Sequence, residues 1–241
     1  MALGTDRPFL AALNLEEAVS EDPVRYRAWH LERIRRTARL VERWAPPSSG
    51  VLDVGASPLT VDFAEAIAGH PMTVLDPGPG WESELARHRI AFLRGSLSRI
   101  DLPSNAGPFG AVVVAEVFEH LVECPAHLVP RLIALLQPGG VLIVTTPNQA
   151  RWLNRLRLLL GVNIQERPET LFHKQWMGFG HVREYTLGEF ESEFRLPGLE
   201  TLDIGGWSPH PMPKFDGLRR ALDRWGPAGL DQVLFGVFRK G

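Results

Sequence analysis

The chain has 241 residues, 44% of them hydrophobic and 22% charged, enough for one sizeable core and too apolar for a disordered chain. A formal net charge of −2 gives no basic field over the molecule, which argues against tight nucleic-acid binding. The single cysteine, Cys124, rules out an intrachain disulfide framework, and no apolar run approaches the ~18 residues of a membrane span. With no charged-then-apolar leader pattern at the start, a reducing, cytoplasmic location is expected.

Asp22-Pro23 predicts a helix start, an N-cap acid followed by proline in the first turn. Leu31, Ile34, Ala38, Val41 and Ala45 then recur at spacings of three and four, the apolar stripe of a helix that Pro46-Pro47 ends. The arginines between Arg25 and Arg43 read as the solvated face of that helix, with a polyanion site as the alternative. Residues 1–48 are thus expected to be a helical segment packed on a core formed by 49–241.

From Val51 short apolar runs alternate with helical stretches. Strands are expected at Val51–Val54, Met72–Leu75, Ala91–Leu93, Ala111–Ala115 and Val141–Thr145. Helices are expected through Phe63, Ala64 and Ile67, and through Leu128, Leu132 and Leu135, the second ending at Pro138-Gly139-Gly140. This rhythm implies βαβ units and a doubly wound, mostly parallel α/β sheet. Residues 149–180 break it with Trp152, Phe172, Trp176 and Phe179 among basic and turn residues, the mark of a lid or substrate-binding insertion. Thr186 and Glu189 have capping-box spacing. Two more strands, at Leu199–Ile204 and Gln232–Phe238, flank a helix over Gly217–Trp225.

Ligands of open α/β sheets lie beyond the carboxyl ends of the strands, near the point where strand order reverses. Three features fall there in order: the Val51–Ser57 turn around Gly55, where glycine lets backbone approach a ligand; Asp76, able to accept from ribose hydroxyls; and Gly95-Ser96-Leu97, suited to a purine. The segments VLDVGAS, TVLDPG, FGAVVVAEVFEHL, LLQPGGVLIVTTPN and GHVREYTLGEF together resemble class I S-adenosylmethionine-dependent methyltransferases over residues 51–240.

The resemblance implies a Rossmann-like, seven-stranded sheet with an N-terminal helix and an insertion after the fifth strand. It implies S-adenosylmethionine as cofactor. Asp53, Gly55, Ala56 and Ser57 would lie along its methionine part, Asp76 and Pro77 at the ribose, Ser96 and Leu97 at the adenine, and Ala115 and Glu116 beneath the sulfonium. Ser57 and Leu59 stand where the family usually has further glycines, and Ser96 where it commonly has aspartate. A non-catalytic scaffold on a decayed methyltransferase fold is therefore carried as an alternative. A nicotinamide dehydrogenase is disfavoured because the G-x-G-x-x-G fingerprint is absent.

Glu116, Glu119 and His120 stand at i, i+3 and i+4 and share one face if that turn is helical. Two carboxylates and an imidazole suit Mg²⁺ or Mn²⁺, and His181 offers a fourth ligand. The arrangement resembles the O-methyltransferases of ubiquinone biosynthesis and the small-RNA 3′-end 2′-O-methyltransferases. A metal-free reading makes His120 a general base or a packed histidine. Glu116, His120 and His181 are the candidate catalytic residues. Tyr26, Trp29 and His30 are candidates to close the cofactor pocket. In the segment from Gly180, His181, Arg183 and Tyr185 would share one side if extended. The expected reaction is O-methylation of a hydroxylated small molecule such as a glycan, polyketide or quinol. RNA ribose 2′-O-methylation is the rival, with Arg151, Arg155, Arg157 and Lys174 its only basic material.

Overall fold

A computed structural model describes residues 23–97, 107–165, 180–212 and 215–241. Asp22, Phe172, Lys174, Trp176 and Phe179 lie outside the described residues. Helix α1 (Pro23–Trp44) leads into β1 (Val51–Val54), α2 (Thr60–Ala66), β2 (Met72–Asp76), α3 (Glu82–Arg87) and β3 (Ala91–Arg94). Then follow β4 (Phe109–Ala115), α4 (Pro125–Ala134), β5 (Leu136–Pro147), α5 (Trp152–Leu159), α6 (Leu187–Phe194), β6 (Leu199–Trp207), α7 (Asp216–Trp225) and β7 (Val233–Lys240). A single turn of 3₁₀ helix at Phe118–His120 follows β4.

The sheet has seven strands in the order β3-β2-β1-β4-β5-β7-β6. Strands β1 to β5 are parallel, and β7 runs antiparallel between β5 and β6. This is the doubly wound, Rossmann-like sheet expected from the sequence. Its order reverses between β1 and β4, and that switch point opens a crevice at the strands' carboxyl ends.

Alternate residues of each strand feed two cores. Val51, Ala111, Val113 and Ile143 face Ile34, Ala38 and Val41 of α1 and Phe63 of α2. Leu52, Val112, Val114 and Leu142 face Leu128 and Leu132 of α4 and Phe190 and Phe194 of α6. Strands β1, β4 and β5 are covered on both sides, which is why they read as continuous apolar runs. No described helix is long and apolar enough to cross a membrane.

The structure corrects three expectations. Pro138-Gly139-Gly140 does not end α4; it lies within β5, which pairs at Leu136 with Phe109 before the register shifts to Ala111 and Val141. Gly139 has φ +73°, and a Cβ on Gly140 would lie 3.1 Å from the Gly110 and Phe109 carbonyl oxygens, so this triplet kinks the strand against its neighbour. The stretch after β5 is not wholly irregular. It contains α5, held because Trp152 and Leu153 pack on Met212 and Phe215. Finally, the segment from Gly180 is not an extended strand, so the alternation expected of one does not apply: Tyr185 is buried in the second core, and the exposed Arg183 lies over its ring at 5.7 Å and pairs with Glu189 at 2.9 Å. The Thr186–Glu189 capping box forms as its spacing implies.

Phe194 is fully buried, with its ring centroid 4.9 Å from Phe118, 4.7 Å from Phe190 and 6.0 Å from Phe238. Phe194→Ala should cost about 3–5 kcal/mol in urea unfolding, whereas Trp225→Ala on exposed α7 should change stability by less than about 0.5 kcal/mol.

Candidate active site

The crevice is built from the ends of β1, β2 and β4. Gly55, directly after β1, has φ +95°, and a Cβ there would meet Val117 Cγ2 at 3.0 Å. A side chain at 55 would thus be strained by its backbone and crowded by the turn after β4. The missing glycines find a local explanation. Leu59 has φ −104° and neither Ser57 nor Pro58 has positive φ, so no left-handed residue is needed there. Side chains shape the turn instead: the Ser57 amide donates to Thr60 Oγ1 (2.9 Å), the Leu59 amide to Ser57 Oγ (3.2 Å), and the Thr60 amide to the Ser57 carbonyl (3.0 Å). Leu59 itself is buried in the core.

Asp76 ends β2 and ties the two neighbouring loops together. Its Oδ2 accepts from the Ala56 amide (2.8 Å) and its Oδ1 from the Gly78 amide (2.6 Å). Each carboxylate oxygen has a second lone pair, so two further donors, such as a ribose diol, still fit. Pro77 is exposed beside it, Ser96 is half-buried, and Leu97 packs into the second core. Asp53, almost fully buried in β1, has its carboxyl pushed up to about 7 by burial and by the charge of Asp76, with Arg33 opposing.

Arg33 escaped the sequence reading, which took the arginines of α1 as solvated. Its side chain lies on the buried stripe, one turn before Thr37 and two before Val41, and it is 5% exposed. That i, i+4, i+8 spacing with buried neighbours was the available signal. Its guanidinium makes no hydrogen bond or ion pair among the described residues, and its Nε is buried without a partner. Beside it, His30 Nδ1 is likewise buried and unpartnered, and burial with the Arg33 charge depresses this imidazole to about 2. Tyr26 packs on His30 (4.4 Å between centroids), and Trp29 stacks on His210 (5.4 Å), so α1 closes against the chain after β6.

Glu116 follows β4 with φ +58°, and Val117 is also non-helical. The one-face helical geometry expected for residues 116 to 120 is therefore absent. Glu116 Oε1 instead accepts from Thr145 Oγ1 at 2.8 Å. Glu119, His120 and His181 do converge: one ligand atom from each lies within 4.8 Å of the others, and Glu116 is not part of that group. Backbone strapping explains the convergence. The Val182 and Arg183 amides donate to the Glu119 carbonyl (2.6 and 3.2 Å), and the Gly180 carbonyl stands 3.1 Å from His120 Nδ1. His181 Nδ1 lies 3.0 Å from Glu184 Oε1, and burial notwithstanding, that carboxylate and those of Glu119 and Glu116 raise its pKa to about 9.

Glu119 is 1% exposed. Its Oε2 receives a 3.4 Å contact from Thr146 Oγ1, while its Oε1 has no hydrogen-bond partner among the described residues. Burial and the Glu116 charge push its carboxyl up to about 8, against His181. An oxygen so buried needs a proton or a cation. One carboxylate and two imidazoles around it form an O,N,N donor set that fits a divalent ion with open positions.

A methyltransferase-domain family model matches residues 26–204, and the chain belongs to that family, the class I, S-adenosylmethionine-dependent enzymes. Its fold is similar to that of an S-adenosylmethionine-dependent methyltransferase from Thermotoga maritima described as a possible histamine N-methyltransferase, at 13% identity and TM-score 0.58, covering 90% of this chain and 95% of that one. The 1,6-didemethyltoxoflavin-N1-methyltransferase of Burkholderia thailandensis, solved with 1,6-didemethyltoxoflavin and S-adenosylhomocysteine, is similar at 20% identity and TM-score 0.56, covering 100% and 93%. So is the CcbJ methyltransferase of Streptomyces caelestis, at 14% and 0.57, covering 87% and 96%. No curated protein gives a significant match.

The raised Asp53 carboxyl has a stability consequence. The native group keeps its proton to about pH 7, while the unfolded chain loses it near the ordinary value of 3.8. Native stability is therefore lost as pH rises between those values, and the loss is complete above the higher one. Asp53→Asn should stabilise the ligand-free protein more at pH 8 than at pH 5 in urea unfolding. An equal gain at both would mean that Asp53 titrates normally.

Proposed function

We propose that this enzyme methylates a hydroxyl oxygen of a small molecule (a quinol, polyketide or glycan), assisted by a divalent cation held by Glu119, His120 and His181. The observation that carries this reading is the buried Glu119 Oε1, left without a hydrogen-bond partner among the described residues between two imidazoles. S-adenosylmethionine supplies an electrophilic methyl carbon on a sulfonium, and Mg²⁺ or Mn²⁺ would lower the pKa of the acceptor hydroxyl.

The chain's own residues do the positioning. Gly55 lets the β1 turn approach the methionine part, with Asp53, Ala56 and Ser57 alongside. Arg33, whose guanidinium has no ion pair among the described residues, takes the methionine carboxylate. Asp76 accepts from the ribose, Pro77 lies beside it, Ser96 and Leu97 flank the adenine, and Ala115 and Glu116 lie under the reacting carbon. His120 and His181, through the cation they would hold, would orient the acceptor oxygen toward the methyl carbon. With the methyl group passing to the oxygen and the carbon–sulfur bond pair left on sulfur, Glu116 Oε2 would take the hydroxyl proton. Oε1 is fixed by Thr145, so the catalytic oxygen is aimed before substrate arrives.

The test is methyl transfer from labelled S-adenosylmethionine to a panel of phenols, quinols, sugars, amines and short RNA, with Mg²⁺ or Mn²⁺ and again with EDTA. Metal-dependent labelling of hydroxylated small molecules is expected. Metal-independent transfer to amines alone would overturn the reading, and failure to bind S-adenosylhomocysteine would favour a scaffold.

Two variants check its halves. Arg33→Met removes charge-assisted hydrogen bonds of about 1.5–3 kcal/mol and should weaken S-adenosylhomocysteine ~10–100-fold in calorimetry. Glu119→Gln should leave that affinity unchanged while weakening Mn²⁺, read by electron paramagnetic resonance, at least about tenfold.

A further inference from the structure

Behind His181 stands a carboxylate that the methyl-transfer scheme does not use. Glu184 Oε1 is 3.0 Å from His181 Nδ1, and Glu184 Oε2 is 3.2 Å from Arg151 Nη1. The Glu184 side chain is 18% exposed and that of Arg151 only 7%. Arg151 Nη1 also donates to the Asn148 carbonyl at 3.3 Å, directly after β5. Asn148 in turn is fixed by its own side chain, which donates to the Asp231 carbonyl at 2.7 Å and accepts from the Ala150 amide at 2.9 Å. A continuous polar chain therefore runs from the rigid end of the sheet through Arg151 and Glu184 to one ring nitrogen of His181.

We propose that Glu184 is a positioning residue: by accepting the Nδ1–H of His181 while anchored by Arg151, it presents His181 Nε2 to the pocket shared with Glu119 and His120. This inference rests on the metal reading above. Its physical basis is that an imidazole on a segment without regular secondary structure keeps a free χ2 rotation unless its second nitrogen is held. A carboxylate in that place selects the tautomer, fixes the ring plane and makes the opposite nitrogen a better donor to a cation. Arginine on the far side of Glu184 prevents the carboxylate from turning away. His120 is held by a different device, with its Nδ1 facing the Gly180 carbonyl. The two imidazoles meet edge to face with centroids 4.9 Å apart, so a freely rotating His181 would also crowd His120.

The experiment is a thermodynamic cycle on Mn²⁺ affinity, measured by electron paramagnetic resonance on the full chain with S-adenosylhomocysteine bound. Glu184→Ala should weaken Mn²⁺ about 10–100-fold. Glu184→Gln, whose amide oxygen still accepts from Nδ1–H, should recover part of that loss. In a His181→Ala background, Glu184→Ala should have no further effect, because a residue that acts only through His181 has nothing left to position. Unchanged S-adenosylhomocysteine affinity in each variant shows that the fold is intact, and the Gln variant keeps the test open if the Ala variant unfolds. Equal Mn²⁺ affinity in wild type and both Glu184 variants would overturn the positioning role alone. The same would follow if the effects of Glu184→Ala and His181→Ala simply added. Wild-type protein that binds no Mn²⁺ would sink the metal reading and this inference with it.

Discussion

A charge taken out of water must be paired, and the residual cost in a folded protein is several kcal/mol per ion when it is not. Two buried ionisable side chains at the carboxyl ends of the sheet carry polar atoms with no hydrogen-bond partner among the described residues. Glu119 is 1% exposed, its Oε1 without a hydrogen bond among the described residues and 4.0 Å from His120 Nε2, and Arg33 is 5% exposed with no hydrogen bond or ion pair among them. They are of opposite sign, yet they do not pair with each other; the Arg33 charge only opposes the rise in the Glu119 pKa that burial causes. On the same helix the half-buried Arg36 is paired with both oxygens of Asp223 at 2.9 and 2.8 Å. Ligands of complementary charge would complete these two groups of the crevice.

The two sides of the crevice reach this state by different routes. Arg33 arrives on a long helix whose apolar stripe is embedded in the first core, so its position is set by Ile34, Ala38 and Val41. Glu119 sits on a single 3₁₀ turn, and His181 on a segment without regular structure. Neither is rigid by itself. What fixes them is mutual: two amides of the strap donate to the Glu119 carbonyl, and Tyr185, three residues beyond Val182, is buried in the second core. The hydrogen bonds that hold residues 182 and 183 therefore also place His181 beside Glu119.

The elements legible in the sequence were those in which local and tertiary demands agree. Strands β1 and β4 are buried on both faces, so their apolar runs were unambiguous, and the Thr186–Glu189 box is a purely local device. The features that were misjudged depend on partners far along the chain. Pro138-Gly139-Gly140 carries a stop signal, but pairing with Phe109 recruits the start of β5 ahead of it. Glu116 has the spacing of a helical ligand, but Thr145 on the next strand and a left-handed backbone turn it out of the group. Arg33 shows the same effect in reverse. An arginine among arginines looked solvated, and only its spacing to Thr37 and Val41 marked it as inward-facing.

The departure from the usual glycine loop follows from the same logic. Positive φ is required once, at Gly55, where the chain leaves β1 under the turn that follows β4. Beyond that point Ser57 and Thr60 supply hydrogen bonds that fix the turn, and Leu59 contributes a fully buried side chain to the core beneath it. A glycine at 59 would forfeit that burial, worth about 1.5–3 kcal/mol for a leucine, and would loosen the turn. The sequence thus exchanges backbone freedom for a braced turn while keeping the one glycine that the strand-to-loop transition cannot do without. Because Asp76 also binds the Ala56 amide, the bracing extends from β1 to β2. The wall on which a cofactor would lie is consequently braced by contacts within the chain itself.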